Sequence, residues 1–266
     1  MGNTFILKLI LTPALIGAAS LAGRKWGHAV SGWMVALPLT SGPVVFFIAL
    51  SHGAAFGLVT SLGILSGGIS LAVFSLSYAW LAVFQKWPLT LFVSTALFLA
   101  STFVLKSIVI PLWPLFCLIV LSFALTLRLM PRHVAGTALP VSIPHWDLPA
   151  RVIITTIFVL LLTELAPFTG ARLAGLLSTL PIMTATLTAF AHHQQGHVSA
   201  AEVLRGLVMG LFSFAGFYLV LSLLLPVGIA IAFIAAILIA FVLQGISLWV
   251  IQNRKPAQNT PLPPSL

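Results

Sequence analysis

Charged residues are scarce in this sequence. Of its 266 residues only 6% are Asp, Glu, Lys or Arg, while 60% are hydrophobic, and the mean hydropathy is +1.18. A soluble domain has roughly 25% charged residues, so this chain cannot cover itself with a surface that faces water. Apolar runs of about 20 residues follow one another, which predicts a polytopic membrane protein whose spans are helices.

Acidic residues and cysteine are the scarcest of all. Three acids against twelve Lys and Arg leave a formal net charge of +9. The bases lie between the apolar runs, where membrane orientation and lipid headgroups explain them better than nucleic acid does. The expected partner is therefore the lipid bilayer, and no nucleic acid. The single cysteine, Cys117, excludes an intrachain disulfide and, within an apolar run, predicts a packed thiol.

The apolar runs predict an all-α bundle of about nine transmembrane spans. The predicted spans are 4–21, 29–51, 56–84, two within 89–130 that divide near 106–111, 150–165, 171–192, 202–225 and 227–251. The polar stretch 131–149 is the expected linker between residues 1–130, with five spans, and residues 150–252, with four. Residues 253–266 are predicted to be a disordered tail, and Ser199 to Glu202 a capping box before the eighth span.

Two segments share one pattern. Residues 32–43, GWMVALPLTSGP, and residues 175–186, GLLSTLPIMTAT, place Pro38 and Pro181 at a separation of 143 residues. The same offset pairs glycines that form small-xxx-small faces, typical of close helix packing, namely Gly63 with Gly206 and Gly67 with Gly210. The matches fall on glycine and proline more than on leucine or valine, so we predict an internal repeat.

The distribution of bases predicts the orientation of the two halves. With nine spans, nine bases lie on one side of the membrane, and only Lys8, Lys106 and Arg172 on the other. The positive-inside rule then puts the N-terminus outside and the C-terminus in the cytoplasm, in a bacterial plasma membrane. Five predicted spans separate the two motifs. Because that number is odd, the repeats should be inverted.

The prolines predict interrupted helices. Pro38 and Pro181 each remove a backbone donor and free the carbonyl four residues earlier. Matched interruptions in inverted halves are typical of a transporter site. The candidate substrate path comprises two prolines and nearby hydroxyls: Pro38, Thr40, Ser41, Pro181, Thr184 and Thr186. An ordinary pair of proline kinks, packed through Ser and Thr, is the alternative.

Few other residues suggest chemistry. Glu164 is the one acid within a predicted span, and Arg172 is its candidate partner in proton or ion coupling. The histidines at 192, 193 and 197 have no nearby Cys or Asp to complete a metal site. No nucleotide-binding or hydrolase motif occurs in the sequence. We therefore expect no catalytic site, no metal and no cofactor.

The first motif also resembles a known family. Residues 32–38, followed by an apolar run into Ser51, His52 and Gly53, are similar to the small GlpM-type bacterial membrane proteins, which are about half as long. The resemblance implies a duplicated relative, with Pro38 and Pro181 at the position of the family's proline. It also implies an association with production of envelope polysaccharide.

Together these features favour a secondary transporter for a small molecule or anion, working by alternating access between inverted repeats. The alternative is a scaffold or accessory subunit of a cell-envelope assembly complex that does not itself transport. The sequence leaves the substrate, the coupling ion and homo-oligomer formation undecided.

Overall fold

The computed structural model describes residues 13–14, 33, 35–131 and 147–253. Within these residues it is all-helical, with nine helices: α1 (Ser41–His52), α2 (Ala54–Leu81), α3 (Trp87–Ser107), α4 (Leu112–Leu129), α5 (Asp147–Thr169), α6 (Ala171–Ser178), α7 (Ile182–Gln195), α8 (His197–Leu224) and α9 (Ile229–Asn253). Seven helical segments are long and apolar enough to cross a membrane, when 171–195 is counted as one interrupted segment. The chain is therefore an integral, multi-pass membrane protein.

The described residues do not confirm nine spans. Of the predicted first span, 4–21, only residues 13–14 are described. In the second, Trp33 and Val35 are helical, residues 36–40 form turns and bends, and α1 follows with 12 residues. At 1.5 Å per residue α1 is about 18 Å long, so it cannot cross a ~30 Å hydrocarbon core alone.

Several predicted boundaries agree with the structure and others are wrong. The division near 106–111 is confirmed, because α3 ends at Ser107 and α4 begins at Leu112. The linker prediction ran too far, since α5 begins at Asp147; residues 132–146 and 254–266 lie outside the described residues. The capping box is also wrong. Helix α8 already begins at His197, and the Ser199 hydroxyl donates to Gln195 Oε1 at 3.2 Å.

Helices α2 and α8 form the centre of the bundle. In each, 67% of a membrane-length window is buried, against 22% in α3, α4 and α9. Large apolar side chains are exposed on those outer helices, among them Phe92, Leu121 and Phe241, which is the composition expected of a surface that contacts lipid. Cys117 on α4 is exposed as well, so the prediction of a packed thiol is wrong.

The two central helices pack in opposite directions. Ser61, near the start of α2, lies 2.8 Å from Ser222, near the end of α8, hydroxyl to hydroxyl. Nearer the middle, a methyl group on Gly68 would lie 3.6 Å from the Phe214 ring. The contacts on α8 therefore move towards its start as those on α2 move towards its end.

Glycine joins each central helix to the helix before it. Gly53 connects α1 to α2 with φ 88° and ψ 164°, and Gly196 connects α7 to α8 with φ 83° and ψ −175°. Positive φ is accessible to glycine at little cost, which allows the chain to turn sharply between two helices. Adding 143 to both bounds of α2 gives the bounds of α8, and each helix has 28 residues.

Candidate functional site

A short turn interrupts the span that contains Pro181. Helix α6 ends at Ser178 and α7 begins at Ile182. The carbonyl of Leu177, expected to be freed by Pro181, instead accepts the N–H of Leu180 at 2.9 Å. The hydroxyls of Ser178 and Thr179 donate to carbonyls three residues earlier, each at 2.7 Å. The interruption is therefore a well-bonded turn, as a break within hydrocarbon requires.

A similar turn precedes α1. The Leu39 N–H donates to the Leu37 carbonyl at 2.7 Å, and the Gly42 N–H to the Pro38 carbonyl at 2.8 Å. Thr40 is the N-cap residue, yet its side chain makes no capping hydrogen bond. This helix thus begins inside the bundle with an uncapped N-terminus.

A cavity of about 60 Å³ lies between the two turns. Since a water molecule takes about 30 Å³ of liquid volume, the cavity has room for roughly two waters. Helices α2 and α8 contribute apolar wall through Leu71, Leu207, Leu211 and Phe214. Its polar lining consists of six hydroxyl side chains: Thr40, Ser41, Thr155, Ser178, Thr179 and Thr184.

Most, but not all, of the candidate path residues line this cavity. Thr40, Ser41, Pro181 and Thr184 belong to its lining. Pro38 and Thr186 do not. Pro38 is half-buried, and its neighbours Leu37 and Leu39 contact the cavity in its place. The Thr186 hydroxyl donates to the Ile182 carbonyl at 2.8 Å, within its own helix.

Thr155 is a lining residue that sequence reasoning missed. It lies on α5, is 1% exposed, and its Oγ1 is buried without a hydrogen-bond partner among the described residues. A buried hydroxyl without a partner is costly and rare in folded proteins. The sequence carried a signal, because Thr12 stands 143 residues earlier.

Ser41 is held in place from α8. The buried Tyr218 hydroxyl donates to Ser41 Oγ at 2.8 Å. A serine hydroxyl can accept and donate at once, so the Ser41 hydrogen is left for another acceptor. The tyrosine thereby orients a donor at the start of α1.

The electrostatic character of the cavity comes from backbone. Neither α1 nor α7 has a side-chain cap or an acidic residue in its first turn. A helix N-terminus carries about +0.5 of an elementary charge. Among the described residues that line the cavity none is charged, so two positive helix ends act there without a counter-charge.

The candidate coupling pair lies elsewhere. Glu164 is on the exposed side of α5, and Arg172 is half-buried at the start of α6. The Arg172 guanidinium donates to the carbonyls of Leu105 and Ile108, where α3 ends. Neither residue is among the described residues that line the cavity. Their coupling role therefore stays a prediction.

The paired glycines lie where helices approach closely. A Cβ on Gly63 would collide with the Arg172 carbonyl, and one on Gly67 with the Thr179 side chain. On the other central helix, a Cβ on Gly210 would lie 2.7 Å from the Trp33 carbonyl oxygen. Gly206 is buried on α8. These glycines allow the central helices to contact the interrupted segments.

Comparison with known proteins adds no relative. No family model matches the chain, and searches of characterised proteins and of solved structures return no match. The resemblance to the GlpM-type proteins stays a prediction.

Proposed function

We propose that the protein is a secondary transporter of the bacterial plasma membrane, built from two inverted repeats and working by alternating access. The observation that carries this proposal is the cavity that both interrupted segments line, with hydroxyls from each. Transporters of this design bind substrate where two discontinuous helices meet between inverted halves. A membrane scaffold has no need of a polar cavity at that place.

The shared offset supports the repeat. The matched bounds of α2 and α8 extend to the next helix, because adding 143 to the bounds of α3 gives 230–250, inside α9. Adding it to the predicted first span, 4–21, gives 147–164, inside α5. The repeat unit is then four spans, and α4 connects the two units.

Equivalent contacts support the same conclusion. Gly67 faces Thr179 across α2 and α6, while Gly210 faces Ala36 across α8 and the first turn. Both members of the second pair differ by 143 from those of the first. Since α2 and α8 also run in opposite directions, their contacts fit a pseudo-twofold axis in the plane of the membrane.

Alternating access would turn one half against the other about this cavity. Glycine faces suit such movement, because they leave no side chains interlocked between α2 and α6. No ATP-binding motif occurs in the sequence, so an ion or substrate gradient would supply the energy. The charge count places the N-terminus outside and the C-terminus in the cytoplasm.

Cysteine accessibility tests this proposal without a known substrate. In a Cys117→Ala background, Thr40→Cys and Thr184→Cys are each exposed to a membrane-impermeant thiol reagent from either side of oriented vesicles. A transporter that alternates should allow labelling of both positions from both sides. Ser61→Cys, which is buried between α2 and α8, is the matched control and should stay unlabelled.

Labelling from neither side, or from the same single side at both positions, would contradict alternating access and favour the scaffold. A comparison of metabolites between deletion and wild-type cells would then identify the transported compound, as one that accumulates on the wrong side of the membrane.

A further inference from the structure

We propose that the cavity binds a compact monovalent anion, such as a halide, nitrate or formate. It would be held by the first-turn N–H groups of α1 and α7 and by the hydroxyl of Thr155. This inference deepens the proposed function by naming the substrate class of the same site, and in that sense it rests on it.

The first step concerns backbone donors. The first N–H groups of a helix have no intrahelical acceptor. In α7 the Ile182 N–H turns back to the Leu180 carbonyl, and the Ala185 N–H bonds to the Pro181 carbonyl. The N–H groups of Met183 and Thr184, between these two, are left for an acceptor outside the helix.

The same shortage exists at α1. Pro43 has no N–H, and the Gly42 N–H is used by the Pro38 carbonyl. The Ser41 N–H is left at the first position of the helix, and neither helix has a side-chain cap. Buried backbone donors are almost always satisfied, so an acceptor at this cavity is expected.

Thr155 provides an independent indication of a ligand. It comes from a third helix, α5, is 1% exposed and lines the cavity, and its Oγ1 has no partner among the described residues. The hydroxyl of Ser41, which already accepts from Tyr218, has its hydrogen left to donate. Two hydroxyls and two helix ends thus offer donors to one small volume.

Charge and size select the ligand. Two helix N-termini of about +0.5 each sum to roughly one positive charge, which matches a monovalent anion. A cation would be repelled, and a divalent anion would keep a negative charge that no described lining residue neutralises. The volume of about 60 Å³ accommodates a halide or a three- to four-atom anion.

The test combines binding and flux with the purified full-length protein. Equilibrium dialysis with labelled chloride measures binding, and vesicles loaded with chloride, nitrate, formate, sulfate or potassium measure flux. We expect binding and flux of the monovalent anions, and neither for sulfate nor for potassium. Removing one hydrogen bond to a charged group should weaken binding about ten- to a hundredfold in Thr155→Val.

Two variants guard against a merely structural effect. Thr155→Ser keeps the hydroxyl and should retain chloride binding. Thr188→Val is the matched control, because Thr188 is buried on α7 with an unpartnered Oγ1 but does not line the cavity. Its chloride affinity should equal that of the unmodified protein. Equal losses in Thr155→Val and Thr188→Val would overturn the site.

The outcomes separate this inference from the proposed function. If Thr40→Cys and Thr184→Cys are labelled from both sides but chloride, nitrate and formate do not bind, the anion site is refuted and transport stands. If the anions bind at Thr155 but labelling occurs from one side only, the site stands and alternating access fails. Binding unaffected by Thr155→Val would show that only water satisfies these donors, and would refute the site.

Discussion

Gly67→Ala tests the contact between a central helix and an interrupted one. A Cβ at this position of α2 would collide with Thr179 Oγ1, would lie 2.7 Å from Thr179 Cγ2 and would lie 3.1 Å from Thr179 Cβ. Thr179 occupies the turn between α6 and α7, and its hydroxyl is fixed by a 2.7 Å bond to the Leu176 carbonyl. The added methyl group must therefore move either the turn or α2.

The magnitude follows from two opposing effects. Replacing glycine with alanine inside a helix stabilises it by about 0.8–1.0 kcal/mol. Forcing a methyl group into a packed interface costs about 1–3 kcal/mol. Gly245→Ala on α9 isolates the first effect, because nothing lies within 4 Å of the Cβ it would add. The two variants should therefore differ in free energy of unfolding by about 1–3 kcal/mol, with Gly67→Ala the less stable.

The assay is unfolding by SDS in mixed micelles, followed by circular dichroism. A double-mutant cycle with Thr179→Ala identifies the cause, since this second substitution removes the two closest atoms and leaves only Cβ. In the Thr179→Ala background Gly67→Ala should lose most of its cost.

Two results would refute the reasoning. One is Gly67→Ala and Gly245→Ala of equal stability. The other is an unchanged cost of Gly67→Ala after Thr179 has been shortened. Either result would show that α2 and α6 do not approach as closely as described.

Two further predictions concern buried hydroxyl pairs. Ser61 and Ser222 share a 2.8 Å bond between α2 and α8, so a cycle of Ser61→Ala and Ser222→Ala should give a coupling near 0.6 kcal/mol, as for other interhelical bonds in membranes; additive effects would contradict the bond. Tyr218→Phe removes the 2.8 Å bond to Ser41 and should cost about 0.5–1.5 kcal/mol of unfolding free energy. Tyr78→Phe, also on a central helix, is its control: the Tyr78 hydroxyl is 3.4 Å from His192 Nδ1, so a loss as large as that of Tyr218→Phe would contradict the assignment.

Much of the architecture could be predicted because proline, glycine and hydrophobic length act locally. Proline cannot continue a helical ladder, so the interruption at Pro181 followed from its position within an apolar run. Glycine at positive φ explains the sharp joints at Gly53 and Gly196, which mark the start of α2 and α8. The division between α3 and α4 followed from a run too long for one crossing.

The rest could not be predicted, because it depends on which residues meet in space. The sequence assigned the first break to Pro38, yet its neighbours Leu37 and Leu39 contact the cavity. The freed carbonyl of Leu177 was expected to need a hydroxyl or water, and instead a local turn satisfies it. Thr155 was missed because it lies in an otherwise ordinary apolar span, α5, whose contact with the cavity is tertiary.

The hydroxyls of this protein also show why Ser and Thr alone do not mark a path. Ser66, Ser75 and Thr156 each donate to the carbonyl four residues earlier in their own helix. A hydroxyl satisfied in that way is compatible with any apolar helix and requires no ligand. Thr155 stands next to Thr156 in sequence and differs from it only in its surroundings. What distinguishes the cavity is therefore a hydroxyl without a partner opposite two uncapped helix ends, because those groups together, unlike the abundance of Ser and Thr, require something to bind.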